Sequence, residues 1–79
     1  MNTCDAIRHM LENSGQTAYN ASIQIGRHNS YVYNTLNRGS DMTAYVLSQV
    51  AHVCGYRLVL EGRGEKIVIN APTQNGRSR

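Results

Sequence analysis

The sequence predicts a mainly α domain of four to five short helices that ends in a two-stranded antiparallel β-hairpin. Three observations carry this. From Ile7 to Cys54, apolar residues recur at helical spacing in runs interrupted at Gly15, Gly26, Gly39 and Gly55. After Gly55 the spacing changes to a strand pattern, in Arg57-Leu58-Val59-Leu60 and Lys66-Ile67-Val68-Ile69, around a Gly-rich turn. The 79 residues are 41% hydrophobic, enough for one small core and too few for a second domain or a large enclosed active site.

Helix one is expected over about residues 5–14. Thr3 is its candidate N-cap, Asp5 is an anion in its first turn and Gly15 closes it. Its inward stripe is Ile7, Met10 and Leu11. Helix two is expected over about 18–25, capped by Thr17 and stopped by Gly26, with Ala21, Ser22 and Ile25 inward. The two small residues allow another helix to approach closely. A short Gly-containing connection follows, and such a connection between two short helices is a helix-turn-helix signal. His28 or Asn29 is the candidate cap of helix three, expected over about 29–37. Helix four is expected over about 43–54, with Leu47, Val50, Ala51 and Cys54 in one stripe that Val46 and Val53 widen. The hairpin is expected over about 56–69, turning at Glu61-Gly62-Arg63-Gly64-Glu65. Residues 1–69 thus form one domain in this reading, and 70–79, with Pro72 and few apolar residues, a flexible tail. The expected core is Ile7, Leu11, Ile25, Val32, Leu36, Leu47, Val50 and Ala51.

Composition narrows the function classes. Lys+Arg is 8 and Asp+Glu is 5, a net charge of +3, mildly basic and by itself no proof of an anionic partner. Cys4 and Cys54 are too few for a disulfide framework, the first ten residues lack the apolar run of a secretory signal, and no stretch approaches the roughly 20 apolar residues of a membrane span. A cytoplasmic protein is the expectation. His9, His28 and His52 lack ligand spacing, so no metal site is read from them, even with the two cysteines. A Cys-His nucleophile would need a walled pocket that so short a chain cannot build. Gly62-Arg63-Gly64 follows a strand but opens no helix, so it is read as a hairpin turn rather than a phosphate loop. No enzyme activity, cofactor or small-molecule substrate is expected.

The stretch from about Ile7 to Tyr56 resembles the Cro/repressor-type (lambda-repressor-like) helix-turn-helix family. The residues that carry the resemblance are Thr17, Ala21, Ser22, Ile25 and Gly26, then Val32 and Leu36, then Gly39, Leu47, Ala51 and Gly55. The chain departs from the family in four places. Ala21-Ser22 stands where a Leu-Ala pair is usual, Ala18 where a Gln is frequent, and Thr35 where an aliphatic residue is frequent. The stretch from Gly26 to Gly39 is about one residue longer than usual.

On a helical wheel centred between Val32 and Leu36, the residues Ser30, Asn34 and Asn37 point outward, with Tyr31 and Tyr33 at the flanks. An uncharged Ser/Asn face suits base reading: Asn bonds adenine N6 and N7 bidentately, and Ser donates or accepts at several base edges. The resemblance implies base contacts from Asn29, Ser30, Tyr33 and Asn34 in the major groove. Phosphate contacts are expected from Arg27 and Arg38, which bracket the helix, from Asn37, and from Thr17 and Tyr19 at the start of helix two. Residues 13–40 carry no carboxylate, so nothing on this stretch repels phosphate.

The expectation is therefore a sequence-specific transcriptional regulator that binds double-stranded DNA. One module of this size offers little contact area, so a two-fold homodimer is expected, through the hairpin edge or helix four. The rival reading is a protein-interaction module of helix-turn-helix fold, such as an antitoxin, an adaptor or a phage-encoded inhibitor, which the low charge would also suit.

Overall fold

A computed structural model describes residues 2–70. Its order is α1 (Thr3–Ser14), α2 (Ala18–Gln24), α3 (Tyr31–Arg38), α4 (Ala44–Val53), β1 (Leu58–Gly62) and β2 (Glu65–Ile69). The chain is mainly helical, with a two-stranded antiparallel hairpin at the end of the described residues. The expected tail, from residue 71 on, lies outside them. No described helix is long and apolar enough to cross a membrane.

Each boundary follows from local chemistry. Asn2, not Thr3, caps α1: its side-chain oxygen accepts from the Asp5 backbone N–H at 2.8 Å, so the helix starts two residues earlier than expected. Asn and Thr both cap well, and the leading Asn adds a half-turn. Thr17 caps α2 by accepting from Asn20 N–H at 3.0 Å, and Thr43 caps α4 by accepting from Val46 N–H at 3.2 Å. α3 begins at Tyr31 rather than Asn29, because residues 25–30 are consumed by a longer connection. Gly39, at φ 66°, ends α3 in the left-handed region that side chains with a Cβ avoid.

The core joins all four helices. Ile7, Met10 and Leu11 come from α1, Ala21 and the adjoining Ile25 from α2, Val32 from α3, and Val46, Val50, Ala51 and Cys54 from α4 and its end. Two expected core residues sit elsewhere. Leu36 and Leu47 are only half-buried, at the rim of this cluster. α3 is rolled, by roughly 50° on a wheel of 100° per residue, so that Thr35 faces inward beside Val32, at 3% exposure. Thr35 tolerates this because its hydroxyl donates to the Tyr31 carbonyl at 3.0 Å. α4 is buried nearly all round, including Ser48 and Gln49, and exposes only Ala44, Tyr45 and His52. It therefore presents no wide apolar face to a partner.

In the hairpin Leu58 pairs with Ile69, Val59 with Val68, Leu60 with Ile67, Glu61 with Lys66 and Gly62 with Glu65. The strands run closer to the tip than expected, leaving Arg63 and Gly64 as a two-residue turn with φ 52° and 78°. Positive φ at both centres is the type I′ arrangement, which matches strand twist and favours Asn-Gly. Arg63 is strained there. Arg63→Asn is expected to raise stability by about 0.5–1 kcal/mol, read as a shifted urea midpoint; an unchanged or lowered midpoint would show that the hairpin does not unfold with the domain.

Candidate nucleic-acid interface

α2, the connection and α3 form one unit, and the sequence explains how they are held. Ala21 and Ser22 are completely buried, so nothing bulky keeps the two helices apart. The Ser22 hydroxyl donates to the Ala18 carbonyl at 2.7 Å and accepts from the Val32 backbone N–H at 2.9 Å. The first N–H groups of any helix lack partners within it. Ser22 satisfies one of them from a neighbouring helix and so fixes where α3 begins. This explains the small polar residue in a position the sequence reading treated only as a spacer. At the other end, Arg8 of α1 donates to the Leu36 carbonyl at 3.3 Å while resting 3.9 Å from Asp5. Neither Ser22 nor Arg8 stood out as a positioning residue in the sequence, because both contacts are long-range.

The connection is built from its own side chains. Arg27 N–H reaches back to the Ser22 carbonyl at 2.9 Å, and Gly26 N–H to Ile23 at 3.0 Å, closing α2. The Ser30 backbone N–H donates to His28 Nδ1 at 3.2 Å. The Ser30 hydroxyl lies 2.9 Å from that same nitrogen and accepts from Asn34 Nδ2 at 3.3 Å. A chain Asn34–Ser30–His28 therefore runs across the start of α3. It uses one of the two Asn34 amide hydrogens, and among the described residues the other and the carbonyl oxygen have no partner. That is the donor–acceptor pair a bidentate contact to adenine needs.

The expected site residues fall into three groups. Tyr33, Asn34, Asn37 and Arg38 stand exposed on α3, Tyr33 at 58%. Asn29 and Ser30 lie in the connection ahead of the helix, and the Ser30 hydroxyl is already committed to His28 and Asn34. Thr17 and Tyr19 lie at the start of α2, where the Thr17 hydroxyl is occupied as the cap and Tyr19 is 56% exposed. Tyr31, which the wheel places at a flank where it could either stand free or pack half-buried, packs half-buried against the core, and the Arg27 guanidinium lies 5.0 Å from its ring centroid. That stacking restrains an otherwise mobile cation. Among the described residues, neither Arg27 nor Arg38 has a carboxylate partner. The arrangement is an exposed, uncharged face of amide, hydroxyl and phenol groups bordered by two guanidiniums that have no carboxylate partner among the described residues.

Other chemistry-bearing groups are dispersed. Among the described residues, no three His, Cys, Asp or Glu side chains gather as metal ligands would. Cys4 and Cys54 are buried and unbridged, and the Cys4 thiol points to the Ser40 carbonyl at 3.6 Å. His9 is within 2.8 Å of Asn13. A cleft of about 340 Å³ lies between α1, α4 and the base of β1, lined by Ala6, Met10, Leu47, Ala51 and Leu58 among others.

No protein-family model, no curated protein and no solved structure matches the chain.

Proposed function

We propose that the chain is a lambda-repressor-like helix-turn-helix protein that binds double-stranded DNA sequence-specifically, with α3 in the major groove. The single observation that carries this reading is the exposed α3 face itself. Tyr33, Asn34 and Asn37 are outward, no carboxylate lies between residues 13 and 40, and Arg27 and Arg38 stand unpaired at its two ends. A face built to read bases needs donors and acceptors that are not already satisfied, and Asn34 retains both.

In this reading Asn34 is the principal base reader. Ser30 and His28 hold its amide in place, and Tyr33 and Asn29 contact neighbouring bases. Arg27, Arg38, Asn37, Tyr19 and the α2 N-terminus at Thr17 follow the phosphates. The longer connection sets the Asn29–Ser30 segment beside the groove rather than within the helix. Binding is non-covalent, and regulation of transcription follows from occupancy of the site. A two-fold dimer would read two half-sites and double the contact area.

The two contact classes predict different mutant behaviour. Asn34→Ala is expected to lose about 1–3 kcal/mol on the preferred duplex and to relax preference at one base position. Arg27→Ala or Arg38→Ala is expected to weaken all duplexes alike and to flatten the plot of log affinity against log salt by about one unit. Fluorescence anisotropy on the preferred and on scrambled duplexes separates them. If Asn34→Ala binds every duplex as the parent does, this face is not the reader. One observation favours a protein partner instead: Tyr19 and Ile23, one turn apart on α2, are both about half exposed or more, at 56% and 50%. That reading takes over if the Asn34 and Arg27 variants leave all DNA binding unchanged.

A further inference from the structure

The cleft between α1, α4 and the base of β1 has apolar walls and a polar rim. Ala6 and Met10 of α1 face Leu47 and Ala51 of α4 across it, and Leu58 closes it from the hairpin. Each helix contributes one alanine, so the walls stand apart where longer side chains would meet. His9, Tyr56 and Arg57 also line it. The Tyr56 backbone N–H donates to the Ala51 carbonyl at 2.8 Å, which holds the entry to β1 against the end of α4. Asn13 Nδ2 donates to the Tyr56 hydroxyl at 3.4 Å and lies 2.8 Å from His9 Nε2. The phenol therefore accepts from α1, and among the described residues its own hydrogen has no acceptor. Among the described residues, no Asp or Glu lines the cleft, and Arg57 takes part in no ion pair.

We propose that this cleft binds a medium-chain monocarboxylate, with the alkyl chain between α1 and α4 and the carboxylate at Arg57 and the Tyr56 hydroxyl. Size, wall chemistry and charge select this class. A volume of 340 Å³ is at the low end of the roughly 300–1,000 Å³ of ligand clefts. At about 30 Å³ for a methylene- or water-sized group, it holds roughly eleven such groups. The walls are aliphatic, and the unbranched thioether of Met10 adapts to a flexible chain. A peptide laid in the cleft would bring backbone N–H and C=O groups against walls that offer them no partner. An alkyl chain carries none, and its single polar end meets the rim. There a guanidinium and a phenol O–H are donors without an anion, which suits a carboxylate and disfavours an amine. The ligand is bound without being changed. The proposal does not depend on what α3 binds.

Titration of the isotope-labelled full chain with decanoate below its micelle concentration, followed by heteronuclear NMR, tests it. Saturable shifts are expected at the amides of Ala6, Met10, Leu47, Ala51 and Leu58, with a dissociation constant of about 0.1 mM. Decanol, with the same chain and no charge, is expected to bind about tenfold more weakly, and decylamine more weakly still. Arg57→Gln should weaken decanoate about tenfold and leave decanol within about twofold. Ala6→Leu fills the cleft from a helix position that suits leucine. It should abolish both, while circular dichroism keeps the parent's helical signal. Arg57→Gln, at an exposed rim position, carries the test should Ala6→Leu fail to fold. The absence of saturable shifts, which is the result if residues 71–79 or a second copy fill the cleft, overturns the site. So do shifts spread evenly over the surface. Decanol bound as tightly as decanoate, or decanoate indifferent to Arg57→Gln, overturns the carboxylate.

Discussion

Replacing Ile7 by alanine is expected to remove about two fifths or more of the protein's folding free energy at 25 °C. Ile7 is completely buried and belongs to the cluster that all four helices share. Deleting three side-chain carbons there leaves a cavity and costs about 2–5 kcal/mol. A domain of this size holds only about 5 kcal/mol or a little more in total. Val50→Ala, at a second fully buried position, is expected to behave in the same direction with a smaller loss. Leu36→Ala and Leu47→Ala are expected to cost markedly less than Ile7→Ala, because both side chains lie at the rim. Urea unfolding followed by circular dichroism measures all four. A melting temperature lowered by only a degree or two in Ile7→Ala, or a larger loss in Leu36→Ala than in Ile7→Ala, would contradict this core.

Ser22→Ala is expected to cost about 1–3 kcal/mol although it removes a single oxygen. The Val32 N–H that Ser22 accepts at 2.9 Å is buried, and no water replaces the hydroxyl in a completely closed site. The Ala18 carbonyl loses little, since it keeps its place in the α2 backbone. The Val32 amide loses its partner. Two readouts follow. Hydrogen exchange at the Val32 amide should speed up relative to amides in the middle of α1. DNA affinity should fall further than the fraction unfolded accounts for, since the start of α3 is no longer pinned against α2 and Asn34 with it. Unchanged stability together with unchanged protection at Val32 would show that Ser22 is only a spacer.

The elements were legible in the sequence because caps, glycines and periodicity agreed with one another. Thr17 ahead of α2 and the change of period after Gly55 each marked a boundary that the backbone keeps, whereas Thr43, read as the first residue of helix four, is its N-cap. The roll of α3 was harder to read. A wheel weighted by hydrophobicity pulls the inward direction toward Leu36, whereas Thr35 is the residue that turns in, its polarity cancelled by the Tyr31 carbonyl. The signal available was the aliphatic residue that the resembling family often has at that position. The start of α3 was misread by two residues for a related reason: the turn from His28 to Ser30 is held by side-chain bonds, which leave no trace in periodicity. The wheel read Asn34 and Asn37 as outward and Tyr33 as a flank, and all three are exposed; Ser30, the third residue it read as outward, lies half-buried ahead of the helix. Ser22 and Arg8 were missed, because each acts on a residue ten or more positions away. Helix four read as a possible interface because it is apolar; in the fold that apolar surface is consumed by the protein's own core.

The central claim is that the α3 face reads DNA sequence, and selection from a pool of random duplexes at low salt, with sequencing of the bound fraction, tests it most directly. The account predicts enrichment of one short motif, repeated with two-fold symmetry if the protein binds as a dimer, and a loss of that motif when the selection is repeated with Asn34→Ala. A folded protein that enriches no duplex, or an Asn34→Ala variant that enriches the same motif to the same degree, would contradict it.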